Sequence, residues 1–331
     1  MDKNSVKKLF NSFSKKKVMI IGDVMIDSYM WGSVDRISPE APIPIVAITH
    51  KENRLGGAAN VGLNLLSLGA QPILCSVIGN DNMGIEFLDL LQKSKLSSAG
   101  IIKSEQRITT VKTRVISNNQ HLLRVDEEIT SRLPEEAEQE LILRINEIIE
   151  DEKIDAIIFQ DYDKGNITPV IIEEIIYKAN SLDIPILVDP KKRNFNHFKN
   201  ATFFKPNFKE LVEGLLVDMK KQDTHAIFKA TTLLHKTMNL QYVMVTLSEV
   251  GIFISHNKKY HSLPAEIRDI ADVSGAGDTV IAVACLCLTG GIGAEDIAAI
   301  SNIAGGLVCE KAGVVPIERD ILFEECLDAY S

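Results

Sequence analysis

No stretch of this 331-residue chain approaches the roughly 20 consecutive apolar residues that a membrane-spanning helix needs. No Gly-x-x-x-x-Gly-Lys-Ser/Thr occurs, which excludes a P-loop, and no Cys-x-x-Cys or His-Glu-x-x-His offers the spacing of a protein-held transition metal. Basic charge is short as well: 36 Lys and Arg stand against 45 Asp and Glu, a net charge of −9, which argues against a nucleic-acid partner. The five cysteines, Cys75, Cys285, Cys287, Cys309 and Cys326, are odd in number and sit mostly among apolar neighbours. They read as buried thiols in a reducing compartment rather than as a disulfide framework. Residues 1–17 mix lysines with Leu9, Phe10 and Phe13 but hold neither an apolar h-region nor a small-residue cleavage site, and read as a cytoplasmic leader helix. There is no internal repeat or low-complexity tract. At 45% hydrophobic and 24% charged residues the composition is that of an ordinary soluble globular protein, and length alone leaves one large α/β domain or two open.

The most telling stretch that is present is Asp272-Val273-Ser274-Gly275-Ala276-Gly277-Asp278, followed by apolar and small residues over 279–288. The glycines allow a tight path, and the apolar segment predicts a buried helix starting at or just before Asp278. The first N–H groups of a helix have no internal partner and carry the positive end of its dipole, so Gly275, Ala276 and Gly277 form a candidate anion hole. Asp278 at its mouth has two uses, as a first-turn or capping carboxylate and as a base for an attacking hydroxyl; the loop by itself leaves both open.

Earlier in the chain, Lys17-Val18-Met19-Ile20-Ile21-Gly22 predicts a buried parallel strand with Asp23 and Asp27 at its carboxyl end, where open α/β sheets bind ligands. Asp27 is a candidate for holding substrate hydroxyls or a turn aspartate. Residues 43–48 are β-branched and preceded by prolines, and predict an edge or excursion strand. Residues 108–125, with the turn Ser117-Asn118-Asn119-Gln120, predict a hairpin. Together they make a small sheet outside the main fold, a lid over 31–50 and 106–127. Between them Gly56-Gly57-Ala58-Ala59-Asn60 opens a helix of small residues in which Asn60 is the polar exception. From Pro134 on, helices and strands alternate, and Asp161, Asp189, Asn207, Glu210, Thr246 and Ser248 recur where strands end.

Gly56-Gly57-Ala58-Ala59-Asn60, Asn207-Phe208-Lys209-Glu210 and the 272–278 loop resemble, in this order, the motifs of the ribokinase-like (PfkB) carbohydrate kinases. The resemblance covers residues 17–316. Within that family, residues 36–44, 54–60 and 246–249 are most similar to bacterial heptose-7-phosphate kinase domains. It implies one ribokinase-like domain over 1–331: a doubly wound, mostly parallel sheet flanked by helices, with a small β-sheet lid. It implies ATP with Mg²⁺, leaves a monovalent cation undecided, and implies transfer to the anomeric 1-hydroxyl of D-glycero-D-manno-heptose 7-phosphate. By motif, Asp278 would be the base, with Gly275, Ala276 and Gly277 around the phosphoryl group. Asp27, Gly56, Gly57 and Asn60 would hold the sugar. Asn207 and Glu210 would organise phosphates and Mg²⁺, the latter through water at Glu210, while Thr246, Ser248, Gly251 and Asn302 would line the nucleotide. Residues 311–316 depart from the pattern in lacking Gly-Thr after Lys311.

The distal phosphate of such a substrate needs cations, and Arg36, Lys112, Arg114, Arg124, Lys191 and Arg193 are the candidates, with Arg124 and Lys191 placed on the substrate. The apolar run 43–48 predicts a homodimer through the lid. A kinase of another sugar, and a non-catalytic sugar or nucleotide binder of the same fold, are the alternatives.

Overall fold

The computed structural model describes every residue except Asn119, Ile267 and Ser331. Helix α1 (Lys3–Phe13), capped by the Asp2 carboxylate on the Ser5 amide, buries Val6, Leu9, Phe10 and Phe13. It leads to β1 (Lys17–Gly22), buried on both faces like a strand with helices above and below. The chain then leaves this core through β2 (Val24–Ile37) and β3 (Pro44–Gly57) and returns with α2 (Ala58–Ser67), β4 (Gln71–Gly79), α3 (Asn82–Lys93) and β5 (Ser97–Ser104). A second excursion, β6 (Val111–Ser117) and β7 (Gln120–Glu127), is the expected hairpin; Asn119 of its turn lies outside the described residues. Regular alternation follows: α4 (Glu135–Asp151), β8 (Ala156–Gln160), α5 (Pro169–Ser181), β9 (Ile186–Asp189), β10 (Phe203–Phe204), α6 (Phe208–Leu215), α7 (Thr224–Met238) and β11 (Tyr242–Thr246). The hairpin β12 (Ile252–His256) and β13 (Lys259–Leu263) and the helices α8 (Ala276–Thr289), α9 (Ala294–Cys309) and α10 (Arg319–Ala329) complete the chain.

The main sheet has nine strands in the order β13-β12-β11-β10-β9-β8-β1-β4-β5, parallel from β11 to β5 and closed by the antiparallel β12 and β13. One apolar layer, from α1, α2, α8, α9 and α10, covers one face, and a second, from α4, α5, α6 and α7, covers the other. Strand order reverses between β1 and β8. In an open α/β sheet that reversal opens a crevice at the carboxyl ends of the two strands, here at Asp23 and Gln160.

The second sheet has the order β3-β2-β6-β7. Its first excursion is longer than 31–50: β2 pairs with β3 from Val24↔Gly57 to Ile37↔Pro44. Asp27 and Gly56 therefore sit within this sheet rather than in a turn or a helix. A carboxylate is tolerated mid-strand because Arg114 on β6 donates to Asp27 at 2.5 Å. Gly57, at φ +61°, is where the strand turns into α2, a backbone conformation that favours glycine.

Candidate active site

α8 begins at Ala276, just before Asp278 as expected, and Gly275 at φ +82° precedes it with no side chain to cap the helix. Ala276 spends its amide on the Val273 carbonyl at 3.3 Å, so it is not the ready donor the sequence suggested; among the described residues the Gly275 and Gly277 amides have no internal partner. Asp272 closes the loop, accepting from the Ser274 and Gly313 amides at 2.9 and 3.1 Å.

Asp278 is the third residue of α8 and is buried. Its carboxylate is held by side chains from α2, from β8 and from the loop after β8. Oδ2 accepts from Asn60 Nδ2 at 2.8 Å; Oδ1 accepts from Tyr162 Oη at 2.6 Å and from Gln160 Nε2 at 3.1 Å. Asn60 comes from the first turn of α2, and a side chain on Gly275 would put its Cβ 2.9 Å from that amide nitrogen. Burial pushes the Asp278 carboxyl up to about 7, against the hydrogen bonds from Tyr162 and Asn60 that favour its charged form; nearby Asp189 adds to the rise. A carboxylate so placed changes charge near neutral pH, which suits a general base.

Behind this group the buried Lys205 ammonium pairs with Asp189 at 2.9 Å, and Gln160 bridges Asp189 and Asp278 through one nitrogen. Asn207 caps α6: Glu210 N donates to Asn207 Oδ1 at 2.9 Å, and Glu210 Oε2 accepts from Asn207 N at 2.8 Å. The other Glu210 oxygen pairs with Lys191, whose ammonium also lies 5.6 Å from the centre of the Tyr162 ring. Burial raises the Glu210 carboxyl, Asp189 adds to it, and Lys191 and Lys205 oppose it.

On the other side of the crevice, a Cβ on Gly56 would overlap the Asp27 carboxylate, so the glycine is what lets that side chain lie against the strand. Register places Arg54 beside Asp27 and Arg114 beside Tyr29, on one face of the second sheet. Both guanidiniums flank the Tyr29 ring, at 5.0 and 5.3 Å.

A family model described as "pfkB family carbohydrate kinase" matches residues 15–320. The chain belongs to this family. As a pfkB carbohydrate kinase it is a phosphotransferase that acts on a sugar hydroxyl. It is 35% identical over 317 residues to the bifunctional protein HldE of Geobacter sulfurreducens, covering 95% of this chain and 63% of that protein. The protein of the same name from Trichlorobacter lovleyi is 37% identical over 323 residues, covering 96% and 65%. The kinase thus spans less than two thirds of these relatives' length. Its fold is shared with phosphofructokinase-2 from Escherichia coli in complex with potassium, at TM-score 0.77 and 16% identity over 95% of this chain and 99% of that one. It is shared too with ribokinase from Arabidopsis thaliana complexed with ribose and ATP, at 0.70 and 15% over 93% and 97%.

Around the kinase's crevice the structure gathers Asp278, the glycine loop, Asn60, Asp27, Gly56, Lys191 and Glu210. Thr246 bridges to Asn207, Ser248 is at φ +54° and Gly251 at φ +109°, so this segment is a tight turn following β11. Asn302 lies within α9 and donates to the Pro264 carbonyl at 2.8 Å. Arg124 sits on the outermost strand, 59% exposed and paired with Asp126. The sequence reasoning missed Gln160, Tyr162, Lys205 and Arg54. Gln160 ends β8, so the strand-end rule that found Asp161 and Asp189 could have found it.

Proposed function

We propose that the protein transfers the γ-phosphoryl group of ATP to the anomeric 1-hydroxyl of D-glycero-D-manno-heptose 7-phosphate, in the cytoplasm. The observation that carries the reading is the position of Asp278, which Asn60 ties to the Gly56 segment while its own helix start carries the glycine loop. A sugar hydroxyl held from the Asp27 side meets a base of nearly neutral pKa and amide donors in one place. Phosphoryl transfer asks little more of a protein than alignment and donors for the spreading negative charge. The relatives named HldE support a heptose as the acceptor. An ADP-release assay on heptose 7-phosphate, ribose, fructose and fructose 6-phosphate tests this: heptose 7-phosphate should have the highest kcat/KM, and equal rates on the others would defeat the assignment.

Among the described residues no three His, Cys, Asp or Glu come together as a metal cage. Glu210, held beside Lys191 at the start of α6, is the protein's carboxylate toward a Mg²⁺ that the nucleotide's phosphates and water would mainly hold. Bound there, the ion would offset phosphate charge. The distal phosphate of the sugar is assigned to Arg54 and Arg114. Glu52 holds Arg54 by two hydrogen bonds of 2.7 and 3.0 Å, so its guanidinium is already oriented. Replacing Arg54 by alanine should raise KM for the phosphorylated sugar about 10- to 100-fold, the size of one charge-assisted contact, with KM for ATP nearly unchanged. An equal rise in both would remove Arg54 from the phosphate site.

The face of the second sheet turned away from Asp27 carries Ile48, Leu123 and Val125, all exposed. We assign this face, as a lid, to a second copy of the chain. Sedimentation at micromolar concentration should give a dimer and Leu123→Asp a monomer; a wild-type monomer would refute the assembly.

A further inference from the structure

The segment after β8 has a part in the site that no family motif quoted above assigns. We propose that Gln160 and Tyr162 are positioning residues that fill one oxygen of Asp278 with two donors, and thereby assign the proton of the sugar hydroxyl to the other oxygen. The inference rests on reading Asp278 as the base.

The geometry is asymmetric. Oδ1 accepts from Tyr162 Oη at 2.6 Å and from Gln160 Nε2 at 3.1 Å, while Oδ2, among the described residues, accepts from Asn60 alone, at 2.8 Å. A carboxylate oxygen offers about two lone-pair sites, so Oδ1 is full and Oδ2 keeps one. In the transfer, the hydroxyl proton goes to Oδ2, the sugar oxygen forms the new bond to the γ-phosphorus, and the bond from that phosphorus to the bridging oxygen breaks, releasing ADP.

Both donors are themselves held. The Gln160 amide is oriented by its second bond, to Asp189 Oδ2 at 3.1 Å, and Asp189 is fixed by Lys205 at 2.9 Å. Tyr162 stands on a loop gripped from beneath. The buried Asp23 carboxylate accepts the amides of Tyr162, Lys164 and Asn166 at 2.8, 3.1 and 3.0 Å. Arg107 donates to the carbonyls of Ser131 and Ile129 at 2.9 and 3.2 Å, and to that of Lys164. A buried carboxylate spent on three loop amides is costly unless the loop must stay in place, and what the loop presents to the crevice is the Tyr162 hydroxyl. Burial and the neighbouring Asp278 raise the Tyr162 phenol well above its usual range, so it remains a donor at working pH.

The charged groups that act on Asp278 and on its Tyr162 partner are Asp189 from β9, Lys191 just beyond it, over the Tyr162 ring, Lys205 from beyond β10 and Asp27 from β2; the polar donors are Asn60 from α2, Gln160 from β8 and Tyr162 itself. A hydrogen bond to the charged form lowers a carboxyl pKa, so losing a donor at Oδ1 raises it.

The test is a titration of the Asp278 carboxyl by ¹³C NMR in the full chain, assigned with Asp278→Asn, in wild type, Tyr162→Phe and Gln160→Met. The pH profile of kcat/KM on heptose 7-phosphate is recorded beside it. Each single variant should move the carboxyl midpoint, and the acid limb of the profile, upward by about one pH unit, the size of one hydrogen bond to a charged group. Sugar KM should change little. An unmoved midpoint in both variants, or a rate loss equal at every pH, would overturn the inference. Turnover by Asp278→Asn near the wild-type rate would instead remove the base on which it rests.

Discussion

Asp278→Asn is expected to lower kcat by about 10²- to 10⁴-fold, the usual cost of removing a general base, while nucleotide affinity stays near wild type. Asparagine matches the aspartate in volume and removes the oxygen that takes the proton. Stability should move the other way from a simple loss. The folded carboxyl titrates at about 7 and the free one at 3.8, chiefly because burial disfavours its charge. A group whose folded pKa is raised contributes stability that is fully present below pH ~4 and lost as pH rises through ~7. At pH 8 the wild-type chain therefore bears a buried charge that the asparagine variant lacks. The Tm of the variant at pH 8 should equal or exceed that of wild type, with the gap closing toward pH 5. If Asp278 were no more than a first-turn helix residue, turnover would persist and stability would fall by about 1 kcal/mol. Calorimetry and steady-state kinetics on one variant separate the two.

Gly56→Ala is the other large effect. Gly56 has no positive φ, so alanine meets no backbone penalty there. Its methyl group would nonetheless overlap the Asp27 carboxylate and approach Met25 Cγ to 3.0 Å. Asp27 must then swing off its strand and loosen from Arg114. A misplacement of about 1 Å in a reacting pair costs on the order of 10²-fold, so kcat/KM for the sugar should fall by that order. KM for ATP should hardly change, because the atoms nearest such a methyl group belong to Asp27 and Met25. Loss of thermal stability with sugar kinetics intact would make Asp27 a packing residue only.

The glycines were legible in the sequence because only glycine satisfies what those positions demand: a left-handed turn at Gly275 and Gly57, and contact with a carboxylate at Gly56. The α/β alternation from Pro134 was legible for a related reason, since buried parallel strands read as short β-branched runs. The long β2 and β3 ladder was not. Asp27, Asp35 and Lys51 interrupt its pattern, and the partner that makes Asp27 acceptable, Arg114, is 87 residues away. Lys205 reads as a solvated cation in sequence and is 2% exposed in the fold, because Asp189 on the adjoining strand neutralises it. Tyr162 stayed hidden because its orientation is fixed by Asp23, 139 residues earlier. Arg124 stands opposite Arg114 on the outermost strand, where Asp126 is its partner.

Incubation of the protein with ATP, Mg²⁺ and both anomers of D-glycero-D-manno-heptose 7-phosphate, followed by ³¹P NMR with proton correlation, reads the position of the transferred phosphate directly. The expected result is ADP together with a new phosphate resonance coupled to H1 of the sugar, beside the unchanged 7-phosphate signal, both forming at least about 100-fold more slowly with Asp278→Asn. A new phosphate on any other carbon, or the same product from Asp278→Asn at the wild-type rate, would contradict it.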